Sequence, residues 1–355
     1  MTMTLLSKTE CTALRGFAIL GIFLHNYLHW LGPMVKENEY QFHEKNVDQL
    51  LSLMFNPNWE LPLQLFSFFG HYGVPVFLFL SGYGLVLKYE SGLSKTPIAE
   101  TSNPFLFVWY RYKKLFPMML LGFVLFAMLD WTTPGHHHWK WMDIIAQLTM
   151  TINLFPDPDH IIWPGPYWFF GLMIQLYAVF ILLIYKRHWG YVVGLMAACW
   201  LIQMLCFGDP EGDAINRIRY NCIGGMLPFG MGVLIARYQG KLLRFNNKTF
   251  HAAMFVVSIL AILQMSMNFT LWLWVPFFIV LFHIALVKLL PNIVVLGLEW
   301  LGALSSAIFV CHPITRKIFI PISRSGDIMD GLVIYIVATI LLGMLFRKIF
   351  KSNIW

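Results

Sequence analysis

The chain has 355 residues, 58% of them hydrophobic and only 12% charged, with 25 Lys and Arg against 18 Asp and Glu for a formal net charge of +7. A soluble domain carries about twice that charged fraction, so a water-soluble enzyme is excluded. The basic excess reads as anchoring to the inner leaflet, with no nucleic-acid surface implied.

Repeated apolar runs of about 18 residues or more are long enough to cross a hydrocarbon core of about 30 Å. They predict an all-α polytopic membrane protein with about ten transmembrane helices, at 11–32, 61–88, 113–130, 166–185, 190–207, 219–237, 250–266, 269–289, 296–315 and 330–349. The runs are continuously apolar, without the alternation of a β-barrel. The stretch 141–155 is short for a span and predicts a re-entrant or interfacial helix. Neither a cleavable signal peptide nor an appended soluble domain is expected, so residues 1–355 read as one membrane domain.

The longest loops, 33–60 and 131–165, are both predicted outside. The second carries His136, His137 and His138. Three neighbours in sequence chelate poorly without partners from elsewhere, so no metal site is predicted. The five cysteines lie in or beside apolar segments without a CxxC pair and read as small apolar filler.

With both termini cytoplasmic, the inside segments hold sixteen Lys and Arg residues, Lys95 and Lys351 among them, and the outside segments eight. Arg15 lies within the first span. This two-to-one bias agrees with the positive-inside rule.

A charged side chain near the middle of a bilayer costs at least about 2.5–3.5 kcal/mol and is usually paired or functional. Arg15 is near enough to the predicted cytoplasmic boundary to snorkel. His25 lies ten residues on, about 15 Å along a helix axis, and His29 follows one turn later on the same face. Either imidazole also suits a plain interhelical hydrogen bond. Ser81 and Gly82 sit in the inner third of the second span, and Arg111, Lys113 and Lys114 at the cytoplasmic start of the third. Such clustered cations suit anionic lipid or the phosphates of a cytosolic cofactor. Gln175 and Tyr177 enter the fourth span, and Ser305, Ser306 and His312 the ninth. Arg15, Ser81 and Arg111 thus share an inner depth, and His25, Trp168 and His312 an outer one. That arrangement suits a group passed from a cytosolic donor to an outside acceptor. A transporter or flippase for a glycolipid or small anion, with Arg15 as the anion site, is the competing class. No internal repeat supports it.

In this order the segments resemble the acyltransferase-3 family of integral membrane acyltransferases. The matching residues are Leu14-Arg15-Gly16 through His25; Gly73, Val74, Pro75, Phe77, Ser81 and Gly82; Arg111, Lys114 and Pro117; Trp168, Gln175 and Tyr177; and Ser305, Phe309, His312 and Pro313. The resemblance runs from the first span to the ninth. It implies a stand-alone surface-polysaccharide O-acyltransferase of the bacterial inner membrane, a multi-pass protein that moves an acyl group, often acetyl from acetyl-CoA, onto a hydroxyl of an extracytoplasmic glycan or glycolipid. On that basis Arg15 with Arg111, Lys113 and Lys114 holds the phosphates of acyl-CoA, and the pantetheine arm passes Ser81 and Gly82. His25 is the general base. His29, Trp168, Gln175, Tyr177 and His312 serve the acceptor side or the structure.

Two departures stand out. Members of the family usually have ten residues between the arginine and the histidine, and this chain has nine, Gly16 to Leu24. Ten helical steps leave His25 about 80° off the face of Arg15. A local π-bulge, shifted packing, or a role for Asn26 or His29 would absorb the difference. Met173 also stands where many members carry a glutamate, so no acid is available there.

Overall fold

The first helix, α1 (Lys8–Leu28), starts at a capping box: the Glu10 N–H donates to Ser7 Oγ, and Glu10 reaches back to the Ser7 N–H. The computed structural model describes residues 4–90 and 103–350, so the basic residues Lys95 and Lys351 lie outside the described residues. Among the described residues every regular element is helical.

After α1 come α2 (Glu44–Phe55), α3 (Leu61–Phe69) and α4 (Gly73–Tyr89), with a 3-10 turn at Gly70–Tyr72 between the last two. Next are α5 (Pro104–Thr132), α6 (Trp141–Leu148), α7 (Trp168–Val179), α8 (Trp189–Met204), α9 (Asp213–Arg219) and α10 (Cys222–Leu242). The chain closes with α11 (Lys248–Met265), α12 (Val275–Leu289), α13 (Asn292–Gly302), α14 (Ser305–Ser325) and α15 (Ile328–Ile349).

Each of the ten expected spans falls on helix, and length separates them. Seven are long and apolar enough to cross a membrane, or eight if α13 and α14, bent by 65° at their junction, count as one span. The segments expected at 190–207 and 269–289 are shorter helices, Trp189–Met204 and Val275–Leu289. The short helix α6 exposes Trp141, Met142 and Ile145, as an interfacial helix does.

Burial ranks the spans. Most of α1 and of the α3–α4 span is enclosed by other helices, whereas α11 and α15 are largely exposed and apolar, as lipid-facing helices are. Helix α1 touches α3, α4, α12, α13 and α14. It meets α13 backbone to backbone at Gly16 and Gly302, where a Cβ on either residue would run into the other helix. One of the two most enclosed spans therefore carries Arg15 and His25.

Candidate active site

Helix α1 remains regular across the Arg15–His25 interval, so of the ways to absorb the shorter spacing a π-bulge there is not the one used. The π-helical turn lies instead at Phe180–Ile184, continuing α7. Arg15 and His25 consequently face different neighbours.

His25 is buried, and its Nδ1 lies 2.7 Å from the backbone oxygen of Ser67. A carbonyl only accepts, so Nδ1 carries the hydrogen and Nε2 presents a lone pair. Residues 67–72 come this close because residue 70 is glycine and clears both the Gly21 carbonyl and the His25 side chain. The turn after Gly70 then sets the His71 ring 5.5 Å from that of His25. His71 is buried, and neither of its ring nitrogens makes a hydrogen bond of ordinary geometry.

The loop after α1 folds back over this end of the bundle as a strap. The Val35 N–H donates to Gln64 Oε1 (2.8 Å), and Ser67 Oγ donates to the Val35 carbonyl (2.7 Å). Trp272 Nε1 donates to the Asn38 carbonyl (3.0 Å), Arg219 Nε to that of Glu39 (2.6 Å), and the Phe42 N–H to that of Pro210 (2.9 Å). The strap delivers two carboxylates. Glu37 Oε1 lies 3.0 Å from His29 Nδ1 and 3.8 Å from His25 Nε2, while Glu39 Oε2 lies 4.0 Å from the same Nε2.

The two acids hold their protons differently. Burial works to raise the pKa of Glu37, but His29 and His25 beside it hold it well below the ordinary range. Burial pushes Glu39 well above that range, and the charge of Glu37 adds to the shift. Glu37 is therefore held ionised at neutral pH, while Glu39 is shifted toward its protonated form.

A cavity opens beside Glu39, lined also by His71, Tyr72, Trp168 and Arg219. Trp168 meets the edges of Tyr40 and Tyr220, whose rings stack 3.8 Å apart. On α14, His312 is buried within Coulombic reach of His25, with Nδ1 3.1 Å from the Ile308 carbonyl, and Arg316 Nη1 donates to the Asn26 carbonyl (3.3 Å).

Near the other end of α1, Arg15 and Arg111 both approach Tyr177. Arg15 is within Coulombic reach of its phenol, and the Arg111 guanidinium lies 5.0 Å from its ring centre. Tyr89 and Phe107 complete an aromatic box around Arg111. Lys114 joins Arg111 and Lys88 electrostatically and lies 4.7 Å from the Tyr110 ring centre. Lys113 does not join them. Two steps of 100° carry it to the far face of α5, where it is exposed beside Trp109.

Two other expected residues are occupied in packing. Gly82 is where α4 touches α10, and a Cβ there would meet the Phe229 carbonyl; Ser81 is half-buried next to it. The Gln175 side chain donates to Asn221 Oδ1 (2.6 Å) and accepts from the Cys222 N–H (2.8 Å), which ties α7 to the start of α10. In the 131–165 loop His136 and His138 have ring centres 5.5 Å apart, while His137 stacks on Trp163 with ring centres 5.6 Å apart.

Glu37, Glu39, His71 and Arg219 are not among the site residues expected from the sequence. The sequence predicts the loop at 33–60 only to lie outside. Glycines on both sides of His71 and Tyr72 were the one local sign of a close backbone approach.

The family model described as "Acyltransferase domain" matches residues 10–348, nearly the whole chain. Neither a comparison with curated proteins nor one with solved structures finds a match. With its several apolar helices of membrane-spanning length, the chain belongs to the acyltransferase-3 family and is a multi-pass membrane acyltransferase.

Proposed function

We propose that the protein is an O-acyltransferase of the bacterial inner membrane, moving an acyl group, acetyl in the simplest case, from cytosolic acyl-CoA to a hydroxyl of an extracytoplasmic glycan or glycolipid. The observation that carries this reading is the His25 Nδ1–Ser67 carbonyl contact of 2.7 Å, which leaves Nε2 as a buried base. The acceptor hydroxyl gives its proton to Nε2 while its oxygen attacks the thioester carbonyl. The tetrahedral intermediate then expels the CoA thiolate, which takes the proton from the imidazolium. Glu37, ionised within 4 Å of Nε2, favours the imidazolium while it lasts.

The donor enters from the end where Arg15, Arg111 and Lys114 converge, and the acceptor from the strap side. The apolar helices between them exclude the water that would hydrolyse the thioester. Carboxylates from the strap stand near the base, while the α7 position held by Met173 offers none.

The test is CoA release and glycan acylation by the protein in lipid, with acetyl-CoA as donor and a membrane glycolipid as acceptor. His25→Ala should lower turnover by about 10²–10⁴, His29→Ala by less, and Arg15→Ala should weaken donor binding. A wild type that binds no acyl-CoA and releases no CoA with any surface glycan would return the transporter reading.

A further inference from the structure

We infer that His25, His29 and Glu37 form a binding site for one zinc-type transition-metal ion, seated on the nitrogen that the proposed reaction uses as its base. Two histidines four residues apart stand on one face of α1, with ring centres 4.5 Å apart. The strap supplies the third donor: Glu37 Oε1 is 3.0 Å from His29 Nδ1 and 3.8 Å from His25 Nε2, and all three donor atoms lie within 4.8 Å of one another. In a tetrahedral site, bonds of about 2.0–2.2 Å set neighbouring donors about 3.3–3.5 Å apart. Side-chain movements of about an ångström bring these three to that spacing.

The surroundings are those of a metal ligand set. His25 Nδ1 donates to a backbone carbonyl, the ordinary support of a metal-bound imidazole. His29 Nε2 and Glu37 Oε2 are buried without a hydrogen bond of ordinary geometry, so either side chain can turn without losing a partner at that atom. Two imidazoles and one carboxylate suit zinc, and offer too few oxygens for calcium or magnesium. Three protein donors leave a fourth position open, and Glu39 Oε2, 4.0 Å from His25 Nε2, borders it.

Metal and proton compete for one lone pair. An ion bound at Nε2 removes the base, so the site is inhibitory, a consequence that rests on the function proposed above. The binding site itself does not depend on that function.

The experiment uses the full chain in lipid nanodiscs, with Co²⁺ as an optical probe and Zn²⁺ as its competitor. Wild type should show the visible absorption of a four-coordinate Co²⁺ ion at one equivalent, displaced by Zn²⁺. His29→Ala and the near-isosteric Glu37→Gln should each weaken that binding at least about tenfold. Zn²⁺ should stop acyl transfer by the wild type over the range in which it displaces Co²⁺. A wild type without the signal, or variants that keep it at unchanged affinity, overturns the site. Binding with undiminished acyl transfer keeps the site and overturns His25 as base, so the two conclusions fail separately.

Discussion

Gly70 and His25 touch so closely that a Cβ on residue 70 would stand 2.6 Å from the His25 Cβ and 2.5 Å from the Gly21 carbonyl oxygen. The approach holds the Ser67 carbonyl against Nδ1 and His71 beside the ring. Gly70→Ala should force the turn away from α1, costing about 1–3 kcal/mol of stability and most of the acyl-transfer activity. Thermal unfolding in detergent with CoA release on the same sample checks both.

Ser67→Ala tests the strap separately. It removes the buried hydroxyl that donates to Val35 but keeps the carbonyl that fixes His25. We expect a stability loss of about 0.5–1.5 kcal/mol, with turnover far less affected than in Gly70→Ala. Equal loss of turnover in the two variants would mean that strap position, not His25 orientation, controls the rate.

On the donor side, Arg111→Ala should raise KM for acyl-CoA about tenfold or more with kcat little changed, the signature of lost uniform binding. Lys113→Ala should leave KM where it is, because Lys113 lies on the opposite face of α5. Steady-state kinetics over a range of acetyl-CoA concentrations separates the two.

Gln175 is expected to matter for stability alone. Gln175→Ala removes both hydrogen bonds that join α7 to α10 and leaves the Cys222 N–H without its acceptor. The cost should be about 1–3 kcal/mol, while KM and kcat of the folded enzyme stay unchanged. A selective rise in KM for the acceptor would place Gln175 in the binding site instead.

Asp130 fastens the C-terminal end of α5. It is fully buried, accepting from the His137 N–H (2.8 Å) and from Trp163 Nε1 (3.2 Å), and it pairs with Lys317 on α14 (2.9 Å). Asp130→Asn leaves Lys317 without its counter-charge and should lower stability by about 3 kcal/mol, read as a lower unfolding temperature.

The helices were legible because lipid imposes length and apolarity on each span. Where a helix is short, as in α8 and α12, or broken, as between α13 and α14, composition alone overstated it. Of the candidate site, the sequence points to residues that sit on a span: His25, His29, Trp168 and His312. Glu37, Glu39 and Arg219 reach the site through contacts between residues far apart in the chain, such as Trp272 with Asn38 and Arg219 with Glu39. No local pattern announces such contacts. A loop rich in Glu reads as solvated until its backbone partners are known. Across the nine-residue spacing α1 stays regular, with Gly70 and His71 meeting His25 where it stands.

The strap over His25 is fastened largely by its own main chain: the Val35 N–H and carbonyl, the carbonyls of Asn38 and Glu39, and the Phe42 N–H. Main-chain groups are present whatever residue other than proline occupies a position. The exposed positions Gly32 and Pro33 are therefore free to drift as an exposed loop drifts, whereas Lys36 donates to the His29 carbonyl. Glu37 and Glu39, whose side chains turn inward, are held to their chemistry. A single short loop can thus vary on its outer side while its inner side stays fixed.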